Sequence, residues 1–129
     1  MATGEYKLIR QVGGRGHYAR VKVDVLPGEN GVTIADTAFA WLKEVYGPDA
    51  WEWRDCDDMR DGARAGATYA LRNRAAVRPS EHVLVTEIHA RPVDTSRADV
   101  ALATCRAVWV ALGEPGREQP TLDHDWSTA

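Results

Sequence analysis

The stretch VGGRGHYARVKVDV, residues 12–25, constrains this chain more than any other. After the glycines, Val21, Val23 and Val25 alternate with Arg20, Lys22 and Asp24, the period of a strand with one buried and one wet face. Before them, residues 5–12 alternate Tyr6 and Leu8 with Lys7, an edge-like strand. Gly13-Gly14-Arg15-Gly16 between two such runs predicts an antiparallel hairpin, because glycine enters the positive-φ turn without a side-chain clash. A chain so committed at its start builds a sheet, and the rest of it must cover one face.

The remaining pattern supplies that cover. LPGENG, residues 26–31, reads as a loop, and Ala38, Trp41, Leu42 and Val45 predict a short helix over 36–46 that stops at Gly47-Pro48. Trp51 and Trp53 alternate with Glu52 and Arg54, which predicts a third strand over 50–55. A helix is expected over 57–74, with Met59, Ala63, Gly66, Ala67, Ala70 and Leu71 on one stripe small enough to lie close to a sheet. HVLVTEIH, residues 82–89, is the clearest strand. Ser96 and Asp99 form a capping-box start for a last helix, whose apolar stripe runs through Cys105 and Trp109 to Gly113. The expected fold is α+β: a two-layer sandwich of a four-stranded sheet with two long helices on one face and a short inserted helix within 34–50. At 129 residues this is one domain, residues 1–116, followed by a frayed tail over 117–129.

Composition narrows the function classes. Hydrophobic residues make up 44% and charged ones 27%, as in a globular chain. The net charge of -3 argues against coating nucleic acid by bulk electrostatics. That charge is uneven: residues 1–31 carry +2, 32–59 carry -5, 60–91 carry +3 and 92–129 carry -3, so a basic end on an acidic body is expected. No apolar run is long enough to span a bilayer, and with no signal-like start and no CxxC the expected setting is reducing and cytoplasmic.

VGGRGHYARVKVDVLPGE resembles the opening hairpin of the fourth domain of bacterial elongation factor G and of the tetracycline-type ribosomal protection proteins, where a Gly-Gly-Arg-Gly turn and a following aromatic recur. VTEIHARPVDTSRADVALA, residues 85–103, is similar to that family's segment ending in Val-Asp-Ser-Ser and an alanine-rich helix. The resemblance covers residues 5–113 and implies the fold of the second domain of ribosomal protein S5. It also implies that the glycine hairpin and the loop over 91–94 share one end of the domain, the end that enters the ribosomal decoding site in the full-length factors. The chain departs from the family in three ways: the loop after His89 is shorter, Arg91 stands where the family has a tip histidine, and FAWLKEVYG has no counterpart. No GxxxxGK[ST] stretch occurs, which excludes a nucleotide-driven motor.

The candidate binding residues are therefore Gly13, Gly14, Arg15, Gly16, His17, Tyr18, His89, Arg91 and Asp94. Two readings of the glycine turn stand side by side: backbone N–H groups and Arg15 on phosphate with His17 or Tyr18 stacked on a base, or glycines that merely close a tight hairpin. Arg15, His17, His89 and Arg91 either converge on one ligand or remain solvated, with Asp94 capping the last helix. The expected partner is ribosomal or other structured RNA, or else a protein, with a homodimer on a sheet edge as a further possibility and no membrane. A second class of function is a small-molecule enzyme or ligand-binding protein with a pocket between sheet and inserted helix, in which His17, His89 or Cys56 supplies the chemistry. The acids Asp55, Asp57, Asp58 and Asp61 match no calcium loop and suit a helix N-terminus, and the histidines lack zinc spacing, so no metal and no cofactor is expected.

Overall fold

The computed structural model describes residues 2–49, 55–74, 80–91, 93–114, 116, 119–121 and 124–126. Strands β1 (Ala2–Val12) and β2 (Arg15–Pro27) form the hairpin, β3 (Gly31–Ile34) follows, then helices α1 (Trp41–Tyr46) and α2 (Asp55–Arg72), strand β4 (Glu81–His89) and helix α3 (Arg97–Leu112). The sheet order is β1-β2-β4-β3, antiparallel except for the β3–β4 pair. Helices α2 and α3 pack together on one face, α3 over β1 and β2, α2 over β3 and β4, which gives the expected α+β sandwich.

The hairpin follows from its turn chemistry. Val12 pairs with Arg15, so the connection is only Gly13-Gly14, with φ of 58° and 80°. Positive φ at both central residues is the type I′ signature, whose twist matches that of the flanking strands. The pairing then runs without interruption to Ala2 opposite Val25. Along β2, Ala19, Val21, Val23 and Val25 are buried beneath the helices and the intervening residues face the open side.

Strict alternation cannot explain β4, since it would send Glu87 inward with Val83 and Val85. A bulge resolves the conflict: Lys22 pairs with Glu87 and Val23 with Val85, leaving Thr86 as the extra residue. The Thr86 hydroxyl donates to the Lys22 carbonyl at 3.1 Å. Beyond the bulge the parity flips, and Ile88 rather than Glu87 enters the core.

The expected elements need correction. The third strand is Gly31–Ile34, inside and just after the expected loop; the segment over 50–55 lies outside the described residues except for Asp55, which begins α2. Four residues are too short for a readable period, and their pairing is set by β4, more than 45 residues downstream. Val21 and Val23 lie beneath α3, so the inserted helix is not what buries them. Residues 35–42 instead continue along the β4 edge beyond β3: Ala35 N–H donates to Val85 O, Ile88 N–H to Ala38 O, and the Trp41 indole N–H to Ile88 O at 2.6 Å. Phe39 is buried beneath the Arg60 guanidinium of α2.

The small-residue stripe of α2 serves α3 more than the sheet. A Cβ on Gly66 would stand 2.0 Å from Ala101 O and one on Gly62 would stand 2.5 Å from Arg97 O, so the two helix backbones are in contact there. Among the described residues of the tail, Trp126 is packed against the domain. Trp126 is 4% exposed, its carbonyl accepts from Arg97 Nη2 at 3.1 Å, and its ring meets Tyr69 and His124 edge-on.

Candidate functional site

The β2–β4 pairing ends at Arg20 opposite His89, yet β2 runs on to Arg15. The loop before α3 takes over the vacated edge. Tyr18 N–H donates to Asp94 O at 2.8 Å, and the Thr95 hydroxyl donates to Tyr18 O at 2.6 Å. Both backbone groups of Tyr18 are therefore satisfied without a strand partner on that side. Thr95 Oγ1 also accepts from Arg91 N–H at 2.9 Å, and Asp94 N–H closes the turn onto Arg91 O. One threonine hydroxyl thus ties the hairpin to the loop.

Side chains complete the junction on both faces of the sheet. On the open face the Arg91 guanidinium lies 4.2 Å from the centre of the Tyr18 ring. On the helix face His17 Nδ1 is 2.8 Å from Asp99 Oδ1. A carboxylate only accepts, so Nδ1 carries the proton in this contact and Nε2 is the second ring nitrogen. Asp99 is 1% exposed, and its other oxygen accepts from the Ser96 N–H and hydroxyl, the capping box that starts α3.

The three glycines divide into two roles. Gly13 and Gly14 supply the positive φ of the turn, whereas Gly16 has ordinary strand geometry and makes room: a Cβ there would stand 2.8 Å from Asp94 Oδ1. The hairpin and the 91–95 loop therefore form one tip. Its exposed surface comprises Gly13, Gly14, Arg15 and Arg91, together with Arg10, Val12 (56% exposed) and Val93 (86% exposed).

The tip does not gather all the residues selected from the sequence. His17 points into the helix layer. His89 lies on the open face three β2 residues away from it, stacked on Trp41 at 5.1 Å and within 3.2 Å of Glu87 Oε1. Asp94 caps no helix: its carbonyl holds Tyr18 and its side chain rests on Gly16, while Ser96 is the N-cap. Cys56 is 1% exposed near the start of α2. Cys105 is fully buried in α3, and burial pushes its thiol pKa up. Arg20 on the open face is held more firmly protonated by its hydrogen bond to Glu5.

Sequence reasoning missed two residues of the tip. Thr95 stands next to the Ser96 cap with no pattern of its own, and Asp99 is legible as a cap but not as the acceptor of a histidine 82 positions away. Among the described residues, no cluster of three or more His, Cys, Asp or Glu side chains could hold a metal ion. No helix among them is long and apolar enough to cross a membrane. Among the surface hollows, one lies beside Tyr6 and Arg106, one beside Asn30 and Arg74 and one beside Met59 and Ser96, and α1 lines none of these.

No family profile matches the sequence, and no curated protein matches it. Among solved structures it is similar to a crystal structure from Thermus thermophilus, at 20% sequence identity and a TM-score of 0.54 over 82% of this chain. The match spans 14% of that protein's length, so the shared feature is the fold of one domain of a much longer chain.

Proposed function

We propose that this chain is a non-catalytic binding module whose tip engages structured RNA, as its resemblance to the fourth domain of elongation factor G implies, in a cytoplasmic setting and on a fold like the second domain of ribosomal protein S5. The observation that carries the reading is the union of hairpin and loop through Tyr18, Asp94 and Thr95, which presents Arg15 and Arg91 at one end. Arginine suits phosphate because its planar donors match the oxygens in pairs. Arg91 is already ordered on Tyr18, so less side-chain freedom is lost on binding. The Cβ-free turn lets a sugar–phosphate backbone approach the main-chain N–H groups closely.

An acidic body behind a small basic tip fits selective end-on docking rather than coating. The test is co-sedimentation with small ribosomal subunits and with isolated ribosomal RNA at low and moderate salt. Association that weakens as salt rises is expected. Absence of salt-sensitive association in both conditions removes the RNA reading and leaves a protein partner as the reading to pursue.

One observation favours a second reading. Asp99 fixes the His17 tautomer and orientation, an arrangement that makes an imidazole Nε2 an effective general base. As an enzyme, the protein would lose turnover of a small substrate on His17→Gln while keeping its fold, and screening for hydrolysis of generic esters and phosphoesters with both proteins tests this.

A further inference from the structure

On the open face of the sheet, residues fall into rows that run across the strands. Nearest the tip, Ile9 pairs with Tyr18, and the Arg91 guanidinium lies over the Tyr18 ring at 4.2 Å. The next row holds Lys7, Arg20 and His89. Beyond it Glu5 and Glu87 flank Lys22, and Asp24 follows, so the face is basic beside the tip and acidic further along. A polyanion fits only the first two rows.

The Tyr18–Arg91 pair offers more than charge. Arg91 is exposed, so a guanidinium with one face on the Tyr18 ring turns its other face to water. Nucleobases stack on guanidinium planes, and resting on an aromatic ring holds that plane in place. The N–H donors of Arg91 lie in the plane, so they can still reach a phosphate while the face takes a base. Ile9, 61% exposed, adds apolar surface opposite Tyr18. Inside a duplex both faces of a base are covered by its neighbours. A looped or bulged base has a face to give.

We propose that the RNA engaged by the tip contributes one unpaired nucleotide, whose base stacks on the outer face of the Arg91 guanidinium over Tyr18. The inference rests on the RNA reading above and names the feature of the RNA that is recognised. Because the rows holding Glu5, Glu87 and Asp24 repel phosphate, the strand does not run on down the sheet, and the site takes a single base rather than an extended single strand.

The probes are a short single-stranded RNA carrying fluorescent adenine analogues and the same RNA annealed to its complement, each titrated with the full chain at one low salt concentration. Although the duplex has the higher charge density, the single strand should bind at least about fivefold more tightly, the gain expected from stacking one base. Emission of the analogue in the single strand should be quenched as its ring stacks. Tyr18→Leu combined with Arg91→Lys keeps the charge and removes both flat groups, so it should abolish the preference and the quenching. Circular dichroism checks that this variant folds, and the wild-type comparison of the two probes stands without it. Equal binding of both probes, or tighter binding of the duplex, overturns this inference and leaves the RNA reading in place. A preference that survives the double substitution overturns it as well. Binding of neither probe removes both.

Discussion

Replacing Asp99 by alanine is the sharpest probe of how the tip is held. The substitution removes the N3 half of a capping box, the acceptor of the Ser96 N–H and hydroxyl, worth about 0.5–1.5 kcal/mol, while the backbone N–H of residue 99 can still donate to Ser96 Oγ. It also removes the acceptor of His17, and hydrogen bonds to charged groups contribute about 1.5–3 kcal/mol each. Asp99 is 1% exposed, so water does not replace either contact without rearrangement. The two effects share one side chain and do not add fully, which gives a loss of about 3 kcal/mol, or roughly 10–15 °C in melting temperature for a chain of this size. Urea unfolding followed by circular dichroism measures it, with the slope expected to stay unchanged. The companion His17→Ala separates the contributions: the double-mutant cycle should return a coupling of at least about 1 kcal/mol. A loss below about 1 kcal/mol for Asp99→Ala, or a coupling indistinguishable from zero, refutes the reasoning that this pair ties hairpin to helix.

Other contacts make their own demands. Gly66→Ala drives a methyl into the Ala101 carbonyl and forces α2 from α3, so denaturant titration should show a loss of about 2 kcal/mol or more. Gly13→Ala at φ 58° should cost about 1 kcal/mol, and Gly13→Asn markedly less, as melting curves will register. Cys56 and Cys105 are both at or below 1% exposure, so a thiol reagent should label neither in native protein within the time that labels both in urea. Gly16→Ala should leave stability nearly intact, because the Asp94 carboxylate can swing away, yet should shift the backbone resonances of residues 91–95.

Local chemistry in this chain was legible and distant pairing was not. The Gly13-Gly14 turn, the valine alternation of β2 and the Ser96–Asp99 cap each lie within a few residues, and each appears in the structure where the pattern put it. The strand β3 was hidden because Gly31–Ile34 has no alternation long enough to read and is a strand only by virtue of β4. The Thr86 bulge was hidden for a related reason, since only the choice between burying Glu87 and burying Ile88 demands it. At the tip, both segments were identifiable, but the hydroxyl and the carboxylate that join them reach across 77 and 82 positions. Trp126 shows the same limit: a polar tail reads as solvent-exposed until a tryptophan in it finds Tyr69.

The salt dependence of RNA binding at the tip is the most direct test of the proposed docking end. Fluorescence anisotropy with a labelled ribosomal RNA fragment, titrated at several salt concentrations, should give a linear fall of log affinity with log salt. Charge reversal of Arg15 and Arg91 together should flatten that slope by about two, while Lys7→Glu, remote from the tip, leaves the slope within about one of wild type. Affinity that does not change with salt, or a slope untouched by loss of both arginines, contradicts the assignment of this end as the docking surface.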